Sequence, residues 1–501
     1  MSILDYVVEE TRNYLESMPK SIRKKSGQFF TTRPTAEYMA SMFDLSSVGS
    51  EVSILDPGSG TGILAAALID RLSNESIINK INLTCYETDE EVLTVLFKNL
   101  EYIKQNISID FEYTILQKDY ITSQADDFNR NLFDSSEQKF DCIIGNPPYV
   151  RIPRNHIAAL SMPSVVCGAP NYYFLFASMS VFNLKPNGEM VYIIPRSWTS
   201  GAYFKLFREY LLSNSKIERV HLFVSRDKVF GSESVLQETM IIKLIKTQSD
   251  SSVVRLTSSN SGMDFSNVSR LDLPYDQMVS GKNLYVYLPI SLEQVSVLEK
   301  INKLPHTLPD IGLRMRTGII VDFREQESLR SVQTDNVVPL FYSQHIKNGR
   351  VHHEPSGKQF DWVILDNTSL IQLNKNYLFL KRFTAKEEPR RLQAGIYLSS
   401  DFNEFAYIGT HNKINYIDNV DKSPLCQNEV YGLYGIFNST IYDQYYRILN
   451  GSTQVNSTEV NSIPVPPREK IMEIGKRLIA QSSLSTDTCD HILEEVVYGE
   501  N

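Results

Sequence analysis

Short apolar runs alternate with amphipathic ones through the first half of the chain. EVSILD (Glu51–Asp56) is apolar and bounded by a glycine-rich turn, so it predicts a strand. ILAAALIDRL (Ile63–Leu72) follows at helical length. INLTCYETD (Ile81–Asp89) predicts a second strand ending in acids, and EEVLTVLFKNLEYI a second amphipathic helix. FEYTILQKDY and KFDCIIG give strands three and four. Tyr172–Leu184 reads as a helix, and KPNG turns the chain into EMVYIIP, a fifth strand. After the helical AYFKLFREYLL come IERVHLFVS and VLQETMIIKLI, two strands with no helix between them. Strands alternating with helices predict an α/β domain with a mostly parallel sheet covered on both faces, and the last pair adds an antiparallel edge.

From about Leu284 this rhythm stops. Tyr, Phe, Asn, Ser and Gly rise, and short strand-like runs mix with helical ones, which predicts a mixed α+β unit. The stretch between is Ser- and Asp-rich (TQSDSSVV, LTSSNSG). The reading is therefore a first domain over 1–250, a connecting segment over 251–282 and a second domain over 283–501. A prior of roughly 150 residues per domain agrees with two or three domains in 501 residues.

The composition is that of an ordinary globular chain, 42% hydrophobic and 22% charged. ILAAALI is far too short to span a bilayer, and MSILDYVVEETRNY lacks the basic start of a secretory signal. Five scattered cysteines (Cys85, Cys142, Cys167, Cys426, Cys489) suit reduced thiols in a cytoplasmic protein. No CxxC pair or HExxH is present, so no metal site is expected. The net charge of −9 argues by itself against a nucleic-acid partner. Local basic patches matter more, however. They occur at SIRKKS (Ser21–Ser26), at Arg151 with Arg154, at Arg314 with Arg316, and in KRFTAKEEPRRL (Lys381–Leu392). Each alone is most simply a solvated face.

Three strand tips carry candidate chemistry. In DPGSGTG (Asp56–Gly62) the glycines permit positive φ and close approach of a ligand to a helix N-terminus. The lysine of a phosphate loop and the third glycine of a dinucleotide fingerprint are both missing. Glu87 at the second tip is placed to accept ribose hydroxyls, and Asp119 at the third to accept from an adenine amine. At the fourth tip the strand breaks into Asn146-Pro147-Pro148-Tyr149, where two prolines remove two donors and fix two φ angles. An exocyclic amine is a poor nucleophile because its lone pair is delocalised into the ring. The Asn146 side-chain oxygen and the Pro147 carbonyl, accepting from both its N–H groups, would free that pair, and Tyr149 would stack on the base.

GQFFTT (Gly27–Thr32), DPGSGTG, YETD, KDY, NPPY and the PNG-then-strand segment follow one another in the order of the γ-class DNA N6-adenine methyltransferases. The chain resembles the Eco57I-like and TaqI-like members of restriction–modification systems. That resemblance implies a Rossmann-like S-adenosylmethionine-dependent domain with a mostly parallel seven-stranded sheet, and a C-terminal target-recognition domain. It implies S-adenosylmethionine as cofactor, with Phe30 and Thr31 at its methionine end. Asp56, Gly58 and Gly60 would lie along its cradle, Glu87 on the ribose, Asp119 on the adenine and Phe176 nearby. VFGSES (Val229–Ser234) resembles the segment whose aromatic packs on the flipped base, which points to Phe230. The first motif carries Asp56-Pro57 where many relatives carry Glu-Pro.

In the second half, RTGIIVDF, VVPLFYSQHI, YLFLKRFTAKEEPRRLQAGIY and LNGSTQVNSTEVNSIPVPP are similar to recognition-domain segments of this group. Candidate DNA contacts are Arg151, Arg154, Arg314, Arg316, Lys381, Arg382, Lys386, Arg390, Arg391, Lys413 and Gln454. Length and motif order are most similar to PstI-like methylases, which implies CTGCAG as target. The partners implied are double-stranded DNA and a cognate restriction endonuclease, with the enzyme acting as a monomer. Two other readings stay open. One is methylation of a protein glutamine amide, which poses the same chemical problem to an NPPY corner. The other is a catalytically silent nucleic-acid-binding specificity subunit, against which Asp56, Asn146 and Tyr149 argue. A fused nuclease is rejected because the region before Gly27 is too short for one.

Overall fold

The computed structural model describes residues 2–17, 31–130, 139–168, 170–223, 238–247, 253–385 and 387–499. The chain divides into two compact units, Met1–Ile290 and Ser291–Asn501. The first is built on strands β1 (Glu51–Pro57), β2 (Lys80–Tyr86), β3 (Asp110–Leu116), β4 (Phe140–Gly145), β5 (Leu184–Pro195), β6 (Lys216–Phe223), β7 (Thr239–Ile245), β8 (Val253–Ser259) and β9 (Ser269–Pro274). They form one sheet in the order β3-β2-β1-β4-β5-β7-β6-β8-β9.

β1 to β5 run parallel, and β7 lies antiparallel between β5 and β6. The seven anticipated strands are therefore present, but the antiparallel pair lies inside the sheet and not at its edge. Two more extend the sheet. The segment read as a connector supplies β8, parallel to β6, and β9, antiparallel to β8. Its serines and aspartates mimic a linker because strands at and next to a sheet edge keep part of their surface in solvent.

Helices α1 (Ile3–Ser17), α2 (Arg33–Ser41), α3 (Ile63–Leu72), α4 (Glu90–Asn106), α5 (Tyr172–Asn183) and α6 (Lys205–Asn214) accompany this sheet. α3 is apolar on nearly every side and packs on both α1 and α2, as an all-round apolar helix must. Asp89 ends the acidic tip of β2 by capping α4, accepting from the amides of Glu91 at 3.0 Å and Val92 at 3.2 Å. Because the strand order turns back between β1 and β4, the carboxyl ends of these neighbours open a crevice at the switch point, the usual ligand position in such sheets.

The second unit is α+β. A six-stranded and a five-stranded sheet occupy residues 313–419, and Gln427–Phe437, Thr440–Leu449, Arg468–Ile479 and Thr486–Leu493 form its principal later helices. Its sheets enclose an aromatic core around Phe341, Tyr377, Phe379 and Tyr397. Among the described residues no helix is long and apolar enough to cross a membrane.

Candidate active site

The switch-point crevice is a cavity of about 420 Å³. Its wall brings together residues far apart in sequence: Thr31, Gly58, Gly60, Glu87, Asp119, Asn146, Pro147 and Phe176. The turn after β1 holds Gly58, Gly60 and Gly62 at φ of 76°, 55° and 85°, a region that L side chains rarely adopt. At Gly62 a Cβ would also fall 2.8 Å from Leu96 Cδ1. The amides of Gly58 and Ser59 donate to the Tyr86 carbonyl at 2.8 and 2.9 Å, which pins the turn to the tip of β2.

Glu87 is positioned by backbone amides. Its Oε2 accepts from Gly60 N at 2.9 Å, and its Oε1 from Thr88 N at 2.8 Å and Asp89 N at 3.0 Å. A carboxylate offers about four lone-pair sites, so acceptor capacity remains on the cavity wall. Asp119 is held by one oxygen. Oδ1 accepts from Ile121 N, Thr122 N and Thr122 Oγ1 at 3.1, 2.7 and 2.9 Å, and Oδ2 lies outside that set.

At the corner after β4, Asn146 Nδ2 donates to Thr31 Oγ1 at 3.2 Å. That contact fixes the Nδ2 end of the amide on Thr31. Tyr149 closes the same corner. It is half-buried and does not line the cavity; its hydroxyl donates to the Ile193 carbonyl at 2.9 Å, and its ring stands edge-on to Tyr173 at 6.3 Å. Burial raises its phenol well above the ordinary value.

Asp56 is displaced from its expected place along the cradle. It is 1% exposed and absent from the cavity wall. Burial pushes its carboxyl up to about 8, against the opposing amide of Ala65 and with the help of the nearby Glu87 charge. A strand-end acid immediately before glycines reads as a ligand group in sequence. Here the chain folds the turn over it.

Lys118, Tyr86, Tyr120 and Tyr172 line the cavity without having been singled out. Their signal is adjacency: Tyr86 precedes Glu87, and Lys118 and Tyr120 flank Asp119. Tyr120 packs on Phe176 with ring centroids 5.2 Å apart. Beneath the cavity, Ser180 Oγ lies 3.1 Å from Tyr120 OH and 2.6 Å from Tyr192 OH, linking the β3 tip to β5. Among the described residues no group of three or more His, Cys, Asp and Glu is placed to hold a metal ion.

Phe30, Phe230 and Lys386 lie outside the described residues. Arg151 and Arg154 are exposed in the first unit, with the Arg151 guanidinium 5.9 Å from the Tyr203 ring centre. In the second unit Arg314 and Lys413 are exposed, Lys381, Arg382 and Gln454 are half-buried, and Arg316 pairs with Asp418 at 3.0 Å. Arg390 and Arg391 are corrections. Arg391 is 1% exposed and donates to Ser452 O at 2.7 Å and Thr384 Oγ1 at 3.2 Å. Arg390 donates to Ser439 O at 2.8 Å. Arg390 ties its loop to the start of helix Thr440–Leu449 and Arg391 ties it to the segment after that helix, so neither reads as a surface phosphate contact.

Residues 68–230 match the model of the Eco57I restriction-modification methylase family. The chain is 32% identical to the type II methyltransferase M.PstI of Providencia stuartii, over 95% of this chain and 94% of that protein. The chain belongs to the type II methyltransferases of restriction–modification systems. It is likewise 31% identical to the type II methyltransferase M.BsuBI of Bacillus subtilis, over 98% of both. The fold is also that of the type IIL restriction-modification enzyme MmeI, solved in complex with DNA, at a TM-score of 0.56, 13% identity and coverage of 99% of this chain and 74% of that one. Membership in this family gives the chain a reaction class, methyl transfer.

Proposed function

We propose that this protein transfers the methyl group of S-adenosylmethionine to N6 of an adenine flipped out of a duplex recognition site, protecting that DNA from a cognate restriction endonuclease. The observation that carries the reading is the convergence of the glycine turn, Glu87, Asp119, Asn146 and Pro147 on one cavity. Its volume falls in the usual range for a small-molecule site. The positive-φ glycine turn leaves the backbone without side chains where a nucleoside cofactor would lie. Thr31, Gly58 and Gly60 would flank its amino-acid part, Glu87 its ribose hydroxyls, and Asp119 with Phe176 its adenine. When bound, the sulfonium supplies a methyl group that needs no further activation.

The remaining work belongs to this chain. The Asn146 Oδ1 and the Pro147 carbonyl accept from the two N–H groups of the target amine, drawing the nitrogen toward tetrahedral geometry and freeing its lone pair. This is catalysis by positioning and by fixed dipoles. Thr31 serves as the positioning residue that holds the Asn146 amide. Tyr149, tethered to Ile193, and Phe230 are the aromatic groups assigned to the flipped base. The second unit reads the surrounding sequence, with Arg314, Arg316, Lys381, Arg382, Lys413 and Gln454 as candidate contacts and Arg151 with Arg154 beside the target. The resemblance to PstI-like methylases makes CTGCAG the first site to test, with a cytoplasmic monomer acting on each strand in turn.

Asn146→Ala tests the assignment. Methylation of an adenine-containing duplex should fall by at least about 10²–10³-fold, the scale of removing one preorganised polar group. S-adenosylmethionine binding, followed by titration calorimetry, should stay near wild type. Retained methylation would remove Asn146 from the chemistry.

A further inference from the structure

The second unit gathers exposed aromatic and cationic residues at one end of its six-stranded sheet. Strand Leu313–Thr317 pairs antiparallel with Ile414–Asn419, which pairs antiparallel with Tyr377–Lys381. In this register Thr317 meets Asn415 and Lys381 meets Ile414. The chain therefore leaves or enters all three strands at the same end. Backbone bonds then tie the emerging segments together. Gly318 N donates to Ile414 O at 2.9 Å, Asn412 N to Ile320 O at 2.8 Å, Arg382 N to Lys413 O at 3.0 Å, and Val455 N to Arg382 O at 2.7 Å. Gly318 is required for this closeness, since a Cβ there would lie 2.3 Å from the His411 carbonyl oxygen. Just before the tip of that loop, Asp322 Oδ2 lies 3.7 Å from His411 Nε2.

Two phenylalanines stand on this held rim, Phe323 at 69% exposure and Phe383 at 43%. Each has an adjacent guanidinium over its ring: Arg324 is 5.5 Å from the Phe323 centroid, and Arg382 is 5.5 Å from that of Phe383. Lys413 is exposed on the turn between them. The nearby carboxylate of Glu388 is turned inward, accepting from Ala385 N at 2.7 Å and Gln393 Nε2 at 2.6 Å. Two exposed rings on one held rim, each bordered by a cation, give this edge a mixed apolar and cationic character. The partner that matches alternating apolar and cationic groups is nucleic acid, whose bases present methyl groups and π-faces between phosphates.

We propose that this rim is the base-reading edge of the second unit, with Phe323 and Phe383 set against bases of duplex DNA and Arg324, Arg382 and Lys413 against the flanking phosphates. The inference rests on the DNA-methyltransferase reading above. The test uses the full chain and the site at which wild-type protein methylates DNA, located by sequencing the modified DNA. Methylation rates are measured on that duplex and on duplexes with single base-pair changes, and binding is followed over a series of salt concentrations.

The Phe323→Ala, Phe383→Ala double variant should lose at least about tenfold in kcat/KM on the site, and in discrimination against at least one altered duplex, the scale of one lost base contact. Its unfolding temperature and S-adenosylmethionine affinity should match wild type, since both rings are exposed. The Arg324→Ala, Lys413→Ala double variant should lower the slope of log binding constant against log salt by about 1–2, near 0.9 for each phosphate contact. A phenylalanine double variant with wild-type kcat/KM and discrimination would overturn the rim while leaving the methyltransferase reading intact. Wild-type protein that methylates no duplex would overturn that reading, and this inference with it.

Discussion

Asp56 looks in sequence like a ligand group and behaves in the fold like a buried acid. Its carboxyl is raised from an ordinary 3.8 to about 8, so the folded protein keeps a proton that the unfolded chain gives up near pH 4. Stability contributed at this position is therefore greatest below pH 4 and declines as pH rises toward 8. Asp56→Asn removes the titration and leaves only a constant packing offset. Urea midpoints measured for both proteins from pH 5 to 8 should show the variant gaining on wild type, by up to about 1.4 kcal/mol per pH unit. A difference that stays flat across that range would contradict the burial account. Asn146 shows the opposite case, a polar group at the cavity wall whose orientation is set by a threonine 115 positions earlier. The amide was legible as chemistry in the sequence. Its partner Thr31 was legible only as cofactor contact, because nothing local connects the two.

Sheet strands carried most of what could be read in advance, since an apolar run between turns must be buried and parallel strands are buried on both faces. β7 shows where such reading stops. MIIKLI reads as a core strand with one stray lysine, yet Lys243 is wholly buried, with Nζ 2.7 Å from Glu189 Oε1 and 2.8 Å from Glu218 Oε2. Its partners come from β5 and β6, and only the antiparallel insertion of β7 between those strands brings them together. Removing one side of a buried ion pair strands the other charge. Lys243→Ala should cost about 3–5 kcal/mol in denaturant unfolding. A loss below about 1 kcal/mol would mean that Glu189 finds solvent or its Asp44 amide donor sufficient. β8 and β9 were hidden for the converse reason, as polar strands at and next to a sheet edge resemble linkers until the sheet they extend is in view.

At the scale of the whole molecule, a chain of net charge −9 must meet a polyanion through local surfaces. Counting arginines in KRFTAKEEPRRL overstated that surface, because Arg390 and Arg391 spend their donors on their own unit. Arg391→Ala should lower the unfolding temperature by several degrees, consistent with about 2–3 kcal/mol lost from a buried hydrogen-bonded charge, and leave the salt slope of DNA binding unchanged. A lower slope with unchanged stability would return Arg391 to the interface. The central claim is that the cavity at the β1–β4 switch point methylates an adenine amine of duplex DNA. Its most direct test is single-turnover incubation of the protein with methyl-labelled S-adenosylmethionine and duplex DNA, followed by nucleoside analysis of the product. Label in N6-methyladenine, abolished by Asn146→Ala, is the result this account predicts; label in a cytosine, in protein or nowhere in the DNA would contradict it.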